Sequence, residues 1–206
     1  SRWERDFEAI TSTGGIELSG DVEGRAAKPL LTTDLVTAVR GADTIIVAAP
    51  AFAHAYFSEQ LAALLEPGQL VVFQPGVLGS SLELARHFAL AQRRPCLIAE
   101  TATSLYTCRL RGPAKVFIGA IKQAVPLATI PHAACQEALA RLSPYFGNRY
   151  VDGTDTLSVG LGNCNAIYHV PPAVLNIKTV EDSAKLPQHT LVTPRIAEVI
   201  NALDEE

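Results

Sequence analysis

Three short apolar runs constrain this chain more than anything else in it: "DTIIVAAP" (43–50), "QLVVFQPG" (69–76) and "PCLIAET" (95–101). Each is strand-length and apolar throughout rather than alternating, as strands of a parallel sheet covered on both faces are. Between them lie stretches with helical spacing, "AFAHAYFSEQLAALLEPG", in which Phe52, Tyr56, Glu59/Gln60 and Ala63/Leu64 recur, and "SSLELARHFALAQ". Strand alternating with helix implies crossover connections and a doubly wound α/β sheet. Upstream, "GGIELSG" reads as a strand and "TTDLVTAVRGA" as a short helix capped by Thr33 or Asp34 and stopped at Gly41.

After residue 100 the pattern changes. "SLYTCRLRGPAKVFIGAIK" predicts two strands around Gly112-Pro113, "HAACQEALARLSPYF" an amphipathic helix, and from Asp155 the pattern is mainly helical. These features predict a domain over residues 1–150 and the beginning of a helical one over 151–206.

In such a sheet, ligands bind outside the carboxyl ends of the strands. Those ends read "AAPAFAH", "FQPGVLG" and "AETATS", small or polar and rich in Gly and Pro, which lets a ligand approach backbone closely. They nominate Ala49, Pro50, His54, Pro75, Gly76 and Glu100 as lining a crevice. The formal charge of −4 and the absence of a Lys/Arg run argue against a nucleic-acid surface. No apolar stretch is long enough to span a bilayer, and the charged opening "SRWERDFEAI" does not fit a signal peptide. The expectation is a soluble, cytoplasmic protein. Cys96, Cys108, Cys135 and Cys164 are scattered without CxxC spacing, so no metal site is expected and four buried thiols are. The chain contains no methionine and ends without a helix-stop signal, and it reads as a fragment.

The segment "VGLGNCNAIYHVPPAVLN" (159–176) raises two alternatives. GLGNCN mimics a dinucleotide fingerprint but has Asn165 at its third glycine position and no clear strand before Gly160, so it is a decoy. Read instead as a helix from Thr154 or Asp155, it lines up Leu161, Asn165, His169 and Pro172 on one face, with a kink or break expected just beyond His169 at Pro171. A histidine there suits proton transfer; a hydrogen-bonded core histidine is the alternative. Asn163 and Asn165 also fit caps or turns.

"GADTIIVAAPAFAH", "GQLVVFQPGVLGSSLEL", "AETATSLYTCR", "LGNCNAIYHVPPAVLN" and "TPRIAEVINALDEE" follow one another as in the opine dehydrogenase family, which the chain resembles over nearly all its 206 residues. The resemblance implies a Rossmann-type doubly wound sheet whose first βα unit is missing, followed by the start of a mainly helical catalytic domain. It implies NAD(P)H-dependent reductive condensation of an amino acid's amine with a 2-oxo acid such as pyruvate, and the reverse. In the family's N-x-N-x-x-x-H motif the histidine transfers the proton, which implies His169 as catalytic residue and Asn165 as substrate- or cofactor-orienting. The strand-end residues then become cofactor contacts.

Arg109, just after the third strand end, is a candidate partner for substrate carboxylates; a surface arginine is its alternative. Ser1 and Arg2 fall near the place where an acidic residue would bind the NAD ribose, and Arg2 suits a 2′-phosphate better, so NADP is favoured over NAD. The family's Gly-rich loop and its histidine-orienting carboxylate both fall outside these residues, so the piece alone is expected to bind and turn over poorly. Partners are small molecules, with neither nucleic acid nor membrane, and a homodimer is one assembly left open. Two competing readings are a reductase of 2-oxo acids like ketopantoate reductase, using Lys178 or Lys185, and a nucleotide-binding protein without chemistry.

Overall fold

The computed structural model describes residues 2–182 and 191–205, the side chains of Arg2, Trp3 and Ala166 excepted. The chain divides into two compact units, one up to Gly160 and one from Leu161 onward. Residues 151–160 therefore belong with the first.

The first unit opens with α1 (Arg2–Thr13), the hairpin β1 (Gly15–Gly20) and β2 (Gly24–Ala27), and α2 (Leu35–Val39). Asp34 caps α2 as its position suggests, accepting the N–H groups of Val36 at 3.3 Å and Thr37 at 2.9 Å. Then the expected alternation follows: β3 (Thr44–Val47), a 3₁₀ turn (Ala51–Ala53), α3 (His54–Leu64), β4 (Leu70–Phe73), α4 (Ser80–Leu90) and β5 (Leu97–Thr101). The hairpin β6 (Tyr106–Gly112) and β7 (Lys115–Ile121) turns at Gly112-Pro113. β8 (Val125–Ile130), α5 (Cys135–Phe146), β9 (Tyr150–Asp152) and α6 (Thr156–Leu161) complete the sequence of elements.

The main sheet runs β3-β4-β5-β8-β9, with β3, β4 and β5 parallel and β8 antiparallel to β5. β4 is buried along its whole length, and its side chains divide by the two-residue period of a strand. Val71 and Phe73 pack with Leu61, Leu84, Phe88 and Ile98 on the α3/α4 side. Leu70 and Val72 pack with Leu127, Cys135, Ala138 and Leu142 on the α5 side. Each of these side chains contributes about 1.5–3 kcal/mol through removal from water.

β3 departs from its expected coverage on both faces. It is the sheet's edge, paired only with β4 among the described residues, and Ile46 is 38% exposed. On α3 the stripe of Phe52, Tyr56, Glu59/Gln60 and Ala63 faces outward: Phe52 is 88% exposed, while the buried face is His54, Ser58, Leu61 and Ala62. Cys108 and Cys164 are exposed, so only Cys96 and Cys135 match the expectation of buried thiols. Cys108 sits on an outer strand and Cys164 in the turn before a helix.

A second sheet, β2-β1-β7-β6, brings β1 alongside β7 in parallel and leaves β6 outermost. In the main sheet, Tyr150 on β9 donates its hydroxyl to the side-chain oxygen of Gln74 at the end of β4.

The second unit comprises the end of α6, then α7 (Asn165–Leu175), α8 (Ile177–Asp182) and α9 (Pro194–Glu205). α7 packs against α9, and Asn176 donates to the carbonyls of Pro172 at 2.9 Å and Leu191 at 3.0 Å, closing the C-terminal end of α7. No helix among the described residues is long and apolar enough to cross a membrane.

Phe73→Ala is expected to lower the unfolding free energy by about 3–5 kcal/mol, whereas Leu110→Ala, on exposed β6, should change it by less than about 0.5 kcal/mol; urea melts of the two variants check this. Burial pushes the Tyr150 phenol up to about 12. Its folded value is thus raised above the unfolded value of about 10, and the stabilisation is complete below that value and lost as pH climbs toward 12. Ultraviolet titration should show one of the five tyrosines ionising late.

Candidate functional site

The ends of β3, β4 and β5 present a surface of small residues and backbone. After β3, Ala49 is half-buried and Pro50 exposed; after β4, Gln74 and Pro75 are half-buried, while Val77 and Leu78 are exposed. Val77 and Gly79 have φ of 36° and 96°, so the chain turns sharply before α4 begins at Ser80. A glycine is required at position 76, because a Cβ there would lie 2.4 Å from the Glu100 Cβ.

Of the nominated crevice residues, Ala49, Pro50, Pro75 and Gly76 are brought to neighbouring strand ends. His54 and Glu100 are there too, but turned into the protein, at 4% and 1% exposure. The His54 ring bonds at Nε2 to the Ala49 carbonyl, 2.9 Å away, and at Nδ1 to the Ser80 hydroxyl, 2.7 Å away. Glu100 Oε2 accepts the Ser81 N–H at 2.8 Å. Burial holds the Glu100 carboxyl above the ordinary carboxylate range, against the pull of the Ser81 and Gly79 groups that bond to it. These two residues support the loops rather than line the crevice, which corrects the expectation of direct contact.

Arg109 lies on β6, the outermost strand of the second sheet, exposed and donating to its neighbour's carbonyl, Cys108 O, at 2.9 Å. It is a surface arginine. Ser1 and the side chain of Arg2 lie outside the described residues, as does Lys185; Lys178 is exposed on α8.

The segment around His169 is built differently from the single helix expected. α6 starts as foreseen, with Asp155 accepting the Ser158 N–H at 2.8 Å, but it ends at Leu161. A new helix begins at Asn165, whose N–H is taken by Asn163 Oδ1 at 3.1 Å, so Asn163 is a turn residue. Leu161 therefore leaves the stripe, while Asn165 and His169 remain one turn apart on α7. α7 also runs through Pro171 and Pro172 to Leu175 rather than breaking after His169. The two prolines cannot donate to the carbonyls of Ile167 and Tyr168, the two residues that precede His169. His169 is exposed among the described residues.

Gly160, the first glycine of the decoy fingerprint, has a packing role: a Cβ there would meet Leu78 Cδ1 at 2.5 Å. It seats α6 against the loop that follows β4. Sequence reasoning missed Gln74, Ser80, Ser81 and Tyr150, all of which shape that loop. "QPG" and "SS" marked the place, but their partners lie far off in sequence.

An apolar groove of about 370 Å³ runs along the free edge of β3, lined by Leu35, Val39, Ile45, Ile46 and Phe57 among others. Thr44 is its one polar side chain, so it does not suit the phosphates of a dinucleotide.

No family model matches the chain. An opine dehydrogenase of Arthrobacter sp. strain 1C is 31% identical over 210 residues, taking in 99% of this chain and 58% of that protein. Octopine dehydrogenase, solved with NADH and L-arginine, has the same fold, with a TM-score of 0.69 at 19% identity over 90% of this chain and 47% of its own. Yersinopine dehydrogenase, solved with NADP⁺, gives a TM-score of 0.67 at 19% identity over 84% of this chain and 44% of its own. The chain spans a little over half the length of the curated relatives it matches. In sequence it is similar to an opine dehydrogenase, and it shares the fold of octopine and yersinopine dehydrogenases.

Proposed function

We propose that the whole protein to which this chain belongs is a cytoplasmic NAD(P)H-dependent opine dehydrogenase acting on CH–NH bonds. It joins the amine of an amino acid to a 2-oxo acid such as pyruvate, and runs the reverse oxidation. The observation that carries this reading is the 31% identity to an opine dehydrogenase across 99% of the chain. It is supported by the fold shared with enzymes solved with NADH and arginine or with NADP⁺.

The residues present fit the nicotinamide end of such a cofactor. Ala49, Pro50, Pro75 and the backbone of Gly76–Gly79 form a surface without bulky polar side chains at the strand ends, the position at which doubly wound sheets take ligands. A glycine-rich pyrophosphate loop is absent among the described residues. The cofactor supplies the hydride.

His169 is the proton-transfer group. In the oxidative direction the secondary amine must lose its proton before hydride departs from the adjacent carbon, and an exposed imidazole can take it. In the reductive direction the same ring returns the proton. Asn165, one turn before His169, orients the substrate or cofactor. Arg2 inclines the choice of cofactor toward NADP, and its guanidinium would pair with the 2′-phosphate.

The test uses the full-length protein with NADPH or NADH, pyruvate and a panel of amino acids, following nicotinamide absorbance. Oxidation that requires both oxo acid and amine is expected, as is a lower KM for NADPH; oxidation without amine would replace this reading with a simple 2-oxo acid reductase. His169→Ala should cut kcat by about 10²–10⁴-fold while the cofactor Kd stays as it was.

A further inference from the structure

His54 and Glu100 are buried titratable side chains at the strand ends, and neither is within reach of a ligand. Each holds one of two consecutive serines, and those serines open α4 directly after the loop that follows β4.

On one side is His54. Ala49 O can only accept, so His54 Nε2 must carry a hydrogen, and Nδ1 is left facing the Ser80 hydroxyl. Ser80 Oγ also lies against the carbonyls of Gly76 and Val77. With Nδ1 unprotonated, the ring accepts the Ser80 hydroxyl hydrogen, which ties His54 to the first residue of α4. One side chain thereby links the chain after β3 to the chain after β4, across 26 residues of sequence. On the other side is Glu100 on β5, whose Oε2 takes the Ser81 N–H while its Oε1 is buried with no hydrogen-bond partner among the described residues.

Between these two anchors the loop has little freedom. Gly76 lies against the Glu100 side chain, Gly160 presses on Leu78, and two residues sit at positive φ. Backbone of this kind persists only where its surroundings over-determine it.

We propose that His54 and Glu100 are positioning residues for the nicotinamide end of the cofactor: through Ser80 and Ser81 they hold residues 74–79 in the shape that receives it. This inference rests on the strand ends being the cofactor crevice, as proposed above. Its consequence is that cofactor affinity depends on two side chains that never touch the cofactor.

Conservative variants separate positioning from general stability. His54→Asn keeps a polar atom at the Nδ1 position and so keeps the link to Ser80; His54→Gln keeps one at the Nε2 position and so keeps only the link to Ala49. Both lose the ring that packs on Phe73, 5.3 Å away between centroids. In the full-length protein, with NADPH and NADH as probes and Kd read by nicotinamide fluorescence, His54→Gln and Ser80→Ala should each weaken binding about tenfold, the size of one hydrogen bond. His54→Asn should stay within about threefold of the parent, and His54→Gln combined with Ser80→Ala should be no worse than the worse single change.

For Glu100, Glu100→Gln retains an oxygen for Ser81 and should stay within about twofold, while Glu100→Ala should lose about tenfold. With cofactor saturating, kcat should be nearly unchanged in every variant. Equal affinities for His54→Asn and His54→Gln, or equal losses for Glu100→Gln and Glu100→Ala, overturn the inference and leave a fold-stabilising role. If the parent binds neither dinucleotide, the proposed function falls and this inference with it; if the parent binds and the variants match it, only this inference falls.

Discussion

The backbone of Gly76 runs so close to Glu100 that no other residue fits there, and the arrangement of the strand ends follows from that contact. It sets where the chain leaves β4 and forces the sharp turn through Val77 and Gly79, which delivers Ser80 to the start of α4. Only from that start does α4 present Leu84 and Phe88 to the core it shares with α3. Elements distant in sequence converge on the same loop: Tyr150 of β9 through Gln74, His54 of α3 through Ser80, and Gly160 of α6 through Leu78. A loop with so many independent restraints is pre-shaped, and a pre-shaped site spends less of its binding free energy on ordering itself.

Much of the framework was legible because local pattern and tertiary role coincide there. β4 is apolar at every position and is buried at every position, and Asp34 is both a good cap residue and the cap. β3 carries the same signal, yet its edge location leaves Ile46 in part exposed, since an apolar run does not reveal how many neighbours a strand has. β8 escaped reading because Pro126 lies within it, and proline within a run argues against an interior strand. Here the pairing with β5 begins at Leu127, one residue beyond the proline. The parallel pairing of β1 with β7 has no local signature at all, because the two strands are joined by most of the first unit.

Site residues were legible in position but not in direction. Successive side chains in a strand point to opposite faces and strand ends bend, so ending at "AET" says that Glu100 is near the crevice without saying that it is turned away from it. His54 misleads in the same way: a histidine just past a strand end looks like a ligand contact, and only the presence of Ser80 and Ala49 at its two nitrogens reveals support. Arg109 lay one hairpin too far, carried off by β6 into the other sheet. In "VGLGNCN", what resembled a phosphate-binding pattern is a packing glycine followed by an asparagine turn, and the turn splits one expected helix into α6 and α7.

The two halves of the proposed chemistry rest on different physics in different units. In the first unit, recognition depends on backbone shape, maintained by buried hydrogen bonds that tolerate little change in geometry because an unpaired buried group costs about 1–3 kcal/mol. In the second, the proposed proton transfer falls to an exposed imidazole on α7 rather than to a tightly packed group. In the proposed chemistry, cofactor affinity and proton transfer fall to different groups, one set held by buried hydrogen bonds and the other exposed on a helix.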